Sequence, residues 1–378
     1  MLVPTKRAKA KTKSSKRTTV SVGIPLHFSQ LEFRKLLSVW YRQNARRLPW
    51  RGVEDPYATW LSEIMLQQTR VATVIDRYRE FMQRFPTLQA LAAAEESEVL
   101  ALWSGMGYYR RARMLLRGAQ FVERELHGKL PRTAEELRSL PGVGAYTSAA
   151  IASIAFGECV AVVDGNVERV LLRVLGLPEK RSSAASAELM RVAQALMPLT
   201  KRGGKNPQGD HNQAMMELGA TICLPRAPLC LQCPVFDLCK TRGQHDTPQR
   251  APQLSKSVAH LLMVRKRGTI TEVLLERRAE NVSLMPGMLE LPALPLEAVV
   301  NREPVLRVKH SITITNFDVQ IYEEKSLRDE SLLNAVPAAK KQLEWAQVTR
   351  LYELPLTGLA RKVLQRMRVM PTAQVDVL

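Results

Sequence analysis

Four of the five cysteines stand in one short stretch, CLPRAPLCLQCPVFDLC, as Cys223, Cys230, Cys233 and Cys239. Four thiolates so close in sequence can surround a single metal centre, and a chain that does so has its path fixed there. Soft sulfur ligands select zinc or an iron–sulfur cluster. Structural zinc sites usually present two C-x2-C pairs, whereas only Cys230 and Cys233 form one here. The uneven C-x6-C-x2-C-x5-C spacing therefore favours one [4Fe-4S] cluster over zinc. Two disulfides are the alternative, but no secretory signal or other mark of an oxidising compartment accompanies them. Cys159, alone in the apolar run IASIAFGECVAVV, reads as a buried core thiol.

Charge narrows what such a centre sits beside. The 378 residues carry 55 Lys+Arg against 36 Asp+Glu, a formal +19 that argues for a polyanionic partner. Part of that excess lies in MLVPTKRAKAKTKSSKRTTVSV, which holds Lys6, Arg7, Lys9, Lys11, Lys13, Lys16 and Arg17 and no acid. It reads as a disordered arm attracted to phosphates. A transit peptide would look similar, but lysine outweighs arginine here. No apolar run approaches the ~18 residues of a membrane span. The expected setting is cytoplasmic, nucleoid-associated in a bacterium, with no membrane partner.

The order of patterns divides the chain. Residues 1–25 form the basic tail and 26–240 a helical domain that includes the cysteine loop 223–239. Residues 241–257 read as a linker rich in Pro, Gln and charge, and 258–378 as an α+β domain. Apolar residues recur at helical spacing in YATWLSEIMLQQ, RVATVIDRYREFMQRF, RRARMLLRGAQFVEREL and NVERVLLRVLGL. Ser29 is placed to cap the first helix, and Thr133 with Glu136 to form a capping box. Strand patterns follow the linker in VAHLLMVRK, EVLLERR, LRVKHSITITNFDVQIYE and LEWAQV, with a last helix in TGLARKVLQRMRV.

Three segments can carry chemistry. In LPGVGAYTSAAIASIAFG, Gly142, Val143 and Gly144 allow a tight hairpin whose amides open the next helix, a geometry that binds phosphate without side-chain charge. A plain helix–turn–helix corner is the alternative, and the basic chain favours phosphate. Asp164, in VVDGNVERV, stands just before a helix, where it is an N-cap or something more. Glu63, in TWLSEIMLQQT, has Thr59, Trp60, Leu66 and Gln67 as helical neighbours and so no basic partner on its own helix. A carboxyl in apolar company either faces water or lines a pocket that raises its pKa. A raised acid beside an ionised aspartate suits glycosidic cleavage: one protonates the leaving group, the other stabilises an oxocarbenium-like sugar.

LPGVG, then VDGNV, then the cysteine quartet together resemble the helix–hairpin–helix iron–sulfur DNA glycosylases. LPWRG (Leu48–Gly52), SEIMLQQTRV (Ser62–Val71), GMGYYRRAR (Gly105–Arg113) and NQAMMELGA (Asn212–Ala220) narrow the resemblance to the branch that removes adenine. It covers about 26–240 densely, with many motifs in the right order. It implies a mainly α-helical glycosylase domain with an iron–sulfur loop, followed by an α+β Nudix-like lesion-reading domain. It also implies, residue by residue, that Glu63 protonates adenine, Asp164 stabilises the sugar cation, and Tyr146 and Asn166 support them. Trp50 and Arg51 would wall the pocket. Gln68 and Tyr108 would enter the base stack when adenine is flipped out, with Arg51, Gln67, Thr69 and the Gly142–Val143–Gly144 hairpin also facing DNA. The cysteines would ligate the cluster. The implied partner is duplex DNA carrying adenine opposite 8-oxoguanine or guanine, bound by a monomer.

Relatives that cut the backbone carry a lysine where this chain has Tyr146, and Glu168 stands where some have another. A phenol forms no imine, so a monofunctional hydrolase is expected. In the C-terminal region GMLELPALPLE resembles a Nudix-like segment, but NREPVLRV lacks the acidic metal box, so nucleotide hydrolysis is not expected. The lesion-sensing Phe-Ser-His loop of the relatives is assigned to Val308-Lys309-His310, with His310 contacting DNA. Two other readings stay open: an endonuclease III-type lyase acting on damaged pyrimidines, and a catalytically dead DNA-binding iron–sulfur protein.

Overall fold

The computed structural model describes residues 24–53, 55–179, 183–199, 206–245, 254–282, 284–312, 315–324, 331–337 and 342–370. The basic tail, apart from residues 24–25, and the middle of the linker lie outside them. No helix among the described residues is long and apolar enough to cross a membrane.

Eleven helices are described before the sheet: α1 Gln30–Asn44, α2 Pro56–Leu66, α3 Val71–Arg84, α4 Leu88–Ala92, α5 Glu96–Trp103, α6 Arg110–Glu125, α7 Ala134–Leu137, α8 Ala145–Phe156, α9 Gly165–Leu175, α10 Ser183–Ala195 and α11 Pro207–Thr221. They pack as two lobes. The first buries Trp60, Phe81, Trp103 and Leu115 from the α2–α8 run. The second buries Phe33 and Leu37 of α1 against Val170, Leu171, Leu196 and Leu218 of α9–α11. α1 therefore leaves its sequence neighbours and waits for helices much later in the chain. Both expected caps form: Ser29 accepts from the Glu32 amide, and Thr133 and Glu136 make the reciprocal box.

α2 holds no charge but Glu63, and Tyr57 to Met65 are all buried. It is the central helix of the first lobe. Asp55 caps it through the Tyr57 amide, with Pro56 at the first helical position. α8 is equally uncharged and is preceded by the hairpin. There Gly142 adopts φ +78°, and a Cβ on it would meet Met114 Cβ at 2.4 Å, so only glycine fits.

The remaining strands are β1 Leu254–Arg267, β2 Ile270–Arg277, β3 Leu289–Glu290, β4 Ala293–Leu294, β5 Leu306–Ile312, β6 Thr315–Glu324 and β7 Leu343–Gln347, with α12 Ser331–Ala335 and α13 Gly358–Arg366. The sheet order is β3-β2-β1-β6-β5, with β4 on β1 and β7 on β2. β1 and β6 run parallel, and the other pairs are antiparallel. Both faces are covered, so Leu261 and Met263 pack on one side while Leu262 packs with α13 on the other. The sheet begins at Leu254, inside the stretch read as linker, because Leu254 to Ser257 pair with Thr315 to Asp318.

One assignment is corrected. Val308-Lys309-His310 is not a loop but the middle of β5, in register with Val319, Asp318 and Phe317. Val308 is 1% exposed in the sheet core while Lys309 faces out. The pairing of β5 with β6 runs on past it as far as Ile312 and Thr315. The inward series Leu306, Val308, His310, Ile312 carries this period-two signal.

Candidate active site

A cavity of about 810 Å³ opens between the two helical lobes. It is lined by Trp50, Arg51, Glu63, Gln67, Gln68, Thr69, Gly142, Gly144, Tyr146, Asp164 and Asn166 among others, so residues far apart in sequence converge on it. The first lobe contributes α2 and the start of α8; the second contributes the start of α9 and one face of α11.

Glu63 sits on α2 with 6% of its surface exposed. Tyr146, on the first turn of α8, donates its hydroxyl to Glu63 Oε2 at 2.8 Å and lies 3.4 Å from the Met216 sulfur. Burial pushes the Glu63 carboxyl up to about 7; Tyr146 pulls it down, Asp164 pushes it further up, and Arg51 pulls it down. Burial, then Glu63 and Asp164, hold the Tyr146 phenol well above its ordinary range, so it stays a donor. Asp164 is the N-cap of α9. One of its oxygens accepts the Val167 amide at 2.7 Å and the other the Asn166 side-chain amide at 3.0 Å. Both oxygens are thus aimed by the start of α9, with the positive end of that helix dipole beneath them.

Arg51 is clamped rather than free. Its Nη2 donates to Glu217 Oε2 at 2.7 Å, its Nη1 to the Arg46 carbonyl at 3.0 Å, and its guanidinium lies 5.5 Å from the Tyr41 ring centre. Glu217 also accepts from the Arg46 amide, Nε and Nη2. Burial would raise Glu217, but these donors bring its carboxyl to about 2. Glu217 is a site residue the sequence reading passed over. Its helical neighbours Gln213, Ala214, Ala220 and Thr221 include no base, so the rule that singled out Glu63 applies to it equally.

The DNA-facing candidates occupy the rim. Gln68 and Tyr108 both adopt left-handed backbone conformations, φ +55° and +49°, and Tyr108 is 48% exposed. Gln67 donates to Thr147 Oγ1 at 3.1 Å. Thr69 lies on the turn after α2, where its hydroxyl accepts from Arg111 at 3.0 Å. Trp50 lines the cavity and packs edge-on against Tyr78. Val143 departs from expectation: it is buried, and its amide is spent on the Leu140 carbonyl at 3.1 Å. The donors left to face an anion are those of the first turn of α8. His310 lies elsewhere, half-buried in a second cleft of about 610 Å³ that it shares with Tyr108, Arg113, Arg117 and Pro286. Burial first, and Lys362 second, lower its pKa.

The four clustered cysteines form no disulfide, and all line one narrow cleft with Val170, Leu218, Val235 and Phe236. Cys159 is half-buried rather than fully buried, 3.5 Å from the Pro198 carbonyl. Arg173, 2% exposed, points Nη1 at Cys223 Sγ from 3.5 Å, and the Arg242 amide donates to Cys239 Sγ at 3.4 Å. Among the described residues no three ligating side chains stand close enough to bind a metal ion as they are. The donor set still fits an anionic sulfur-ligated centre: four thiols, apolar walls, and N–H groups aimed at sulfur. Arg169 joins this loop to the cavity, donating to the Cys223 carbonyl at 2.8 Å and to Asn166 Oδ1 at 2.9 Å.

Comparison with known proteins agrees with this architecture. Residues 61–195 match the family described as HhH-GPD superfamily base excision DNA repair protein, a span that takes in Glu63, Tyr146 and Asp164. An adenine DNA glycosylase of Homo sapiens is 52% identical over 227 residues, covering 57% of this chain and 40% of its own length. One of Rattus norvegicus is 50% identical over 248 residues, covering 62% and 46%. The chain thus spans less than half the length of these curated relatives. A solved structure of a thermostable thymine-DNA glycosylase superposes with TM-score 0.51 at 31% identity, covering 56% of this chain and 96% of that one. The chain belongs to the HhH-GPD superfamily of base excision DNA repair proteins. Its sequence is similar over that region to those of adenine DNA glycosylases.

Proposed function

We propose that the protein is a monofunctional glycosylase that hydrolyses the N-glycosidic bond of adenine paired with 8-oxoguanine or guanine in duplex DNA. The observation that carries this reading is Glu63, a buried carboxyl pushed up to about 7, in the same cavity as the amide-held Asp164. Adenine would be flipped into the cavity, its place in the stack taken by Gln68 and Tyr108. Glu63 gives its proton to the ring, and the bond from the sugar to nitrogen breaks as the electron pair leaves with the base. Asp164 stabilises the cationic sugar, aimed by Asn166. Water adds to the sugar carbon and loses a proton, leaving an abasic site. Arg51, held by Glu217, supplies fixed donors on the cavity wall. Among the described residues the cavity lining includes no lysine, and Tyr146 occupies the position from which a Schiff base would form, so backbone cleavage is not part of the reaction.

Cys223, Cys230, Cys233 and Cys239 would hold a [4Fe-4S] cluster, whose contribution is to tie the loop after α11 into one folded unit. The C-terminal sheet domain, Nudix-like in this reading, would face the base opposite adenine, and a monomer would suffice.

The test is incubation of the protein with an adenine:8-oxoguanine duplex, with and without hot alkali. Alkali-dependent strand cleavage with free adenine is expected. Cleavage without alkali would mean a lyase; no release of base would mean a binding protein.

A further inference from the structure

We propose that Arg361, carried by the C-terminal domain, is a positioning residue for the loop that bears Tyr108, and so takes part in base extrusion from outside the catalytic cavity. This rests on the glycosylase reading above, in which Tyr108 and Gln68 enter the stack.

Arg361 stands on α13 and is 6% exposed. Among the described residues no carboxylate forms a salt bridge with it. Its Nε donates instead to the hydroxyl of Ser104 at 2.8 Å, at the end of α5. Ser104 is fully buried and passes its own proton to the Leu356 carbonyl at 2.8 Å. The Tyr109 hydroxyl donates to the same carbonyl at 3.2 Å and lies 3.5 Å from the Gly105 amide. Two hydroxyls bracket the Tyr108 loop, and both are spent on the C-terminal domain. Burying a guanidinium for one hydroxyl and one ring, the Tyr352 centre 5.7 Å away, is costly, and an aliphatic side chain would fill the space more cheaply. The cost buys geometry.

That loop needs fixing. Gly105, Gly107 and Tyr108 take φ +96°, +71° and +49°, and left-handed backbone at a bulky aromatic is strained and persists only where its surroundings over-determine it. Trp103 Nε1 holds the Gly107 carbonyl at 3.2 Å, and Arg111 Nη2 holds the Met106 and Gly107 carbonyls at 3.3 and 3.1 Å. The same guanidinium reaches back to the Ile64 and Met65 carbonyls at 2.8 and 3.1 Å, to the Gln67 carbonyl, and to Thr69 Oγ1 at 3.0 Å. Gln68 lies between those last two acceptors. Arg111 therefore makes the two inserting turns one body, and Arg361 ties that body to the C-terminal domain. Met288, fully buried in the core of the first helical lobe, seats the domain beside it.

The test uses the full chain with Arg361→Met, which keeps the aliphatic stem, Ser104→Ala, and the double variant. Amide hydrogen exchange is read in the DNA-free protein, and extrusion by 2-aminopurine fluorescence beside adenine in an adenine:8-oxoguanine duplex. Each single variant should speed exchange locally over 105–109 and 67–69 and slow extrusion roughly ten- to hundredfold. The double variant should be no worse than Ser104→Ala alone, because that change already removes the Arg361 bond together with the one to the Leu356 carbonyl. The pH midpoint of excision should not move. Additive losses, exchange spread evenly over the molecule, or a shifted midpoint would overturn the proposal; Ser104→Ala, losing one oxygen, keeps the test open if Arg361→Met does not fold. If the wild type releases no adenine while exchange still rises locally in the variants, the glycosylase reading fails and the positioning stands. If the wild type excises adenine and the variants match it, the positioning fails alone.

Discussion

A carboxyl that donates a proton works only while it holds one. With Glu63 pushed up to about 7 by burial, excision should be flat in acid and fall about tenfold per pH unit above that value. Single-turnover rates across pH check this, and a midpoint near the ordinary carboxylate range would remove Glu63 from the role. Glu63→Gln should lower the chemical step by at least 10²–10⁴-fold while mismatch binding stays within about tenfold. Stability follows with the opposite advantage. Between 4.5 and about 7 the folded chain holds a proton the unfolded chain has released, so this group's contribution declines as pH rises through that window. Glu63→Gln should therefore melt a few degrees above wild type at pH 8 and gain less at pH 5. Glu217 runs the other way: its contribution is complete above 4.5 and is lost as pH falls toward about 2. Glu217→Ala leaves Arg46 and Arg51 without their acceptor and should cost about 2–3 kcal/mol by denaturant titration, Arg46 being partly exposed. Glu63 was legible because its isolation shows within one helical turn. Glu217 obeys the same rule, but its partners lie 171 and 166 residues away, where local pattern cannot pair them.

At the scale of elements, the two glycines of the hairpin do different work. Gly142 has a left-handed backbone and Met114 against it, whereas Gly144 has nothing within 4 Å of where a Cβ would stand. Gly142→Ala should lose more than about 2 kcal/mol and weaken DNA binding, while Gly144→Ala should melt within a degree or two of wild type. Equal melting of the two would show that the turn is not the constraint. Helix caps and strand stretches could be read directly, since each is a short-range pattern of polar and apolar positions. The end of β5 could not, because VKHSITITNF offers no Gly, Pro or Asp, and its Ser311 and Asn316 pair within the strands. Lys309 stands on the outer face of β5, opposite Asp318, and where it meets DNA the expected contact is a backbone phosphate. Lys309→Ala should weaken binding to adenine:8-oxoguanine and adenine:guanine duplexes alike and lower the salt slope by roughly one. A loss confined to the 8-oxoguanine duplex would make it a base reader.

For the whole molecule, the cysteine loop ties the second lobe together, and Cys230→Ser should deplete bound iron and sulfide and lower soluble yield. Stoichiometric zinc in anaerobically purified protein would overturn the cluster. The two-lobed architecture was only half visible in the sequence: the helices announce themselves by period, but nothing local says that α1 belongs with α11. That pairing has a consequence for synthesis on the ribosome. The first lobe is contiguous from α2 to α8 and can close as soon as it emerges. α1, made earliest, must keep Phe33 and Leu37 uncovered until α11 is out of the exit tunnel. A nascent chain halted after Gly157 should protect α2 from protease and leave α1 open to it; full protection of α1 at that length would contradict the order. The cavity, having one wall in each lobe, is the last feature to form, so an unfinished chain would hold Glu63 with neither Asp164 nor Glu217 across from it.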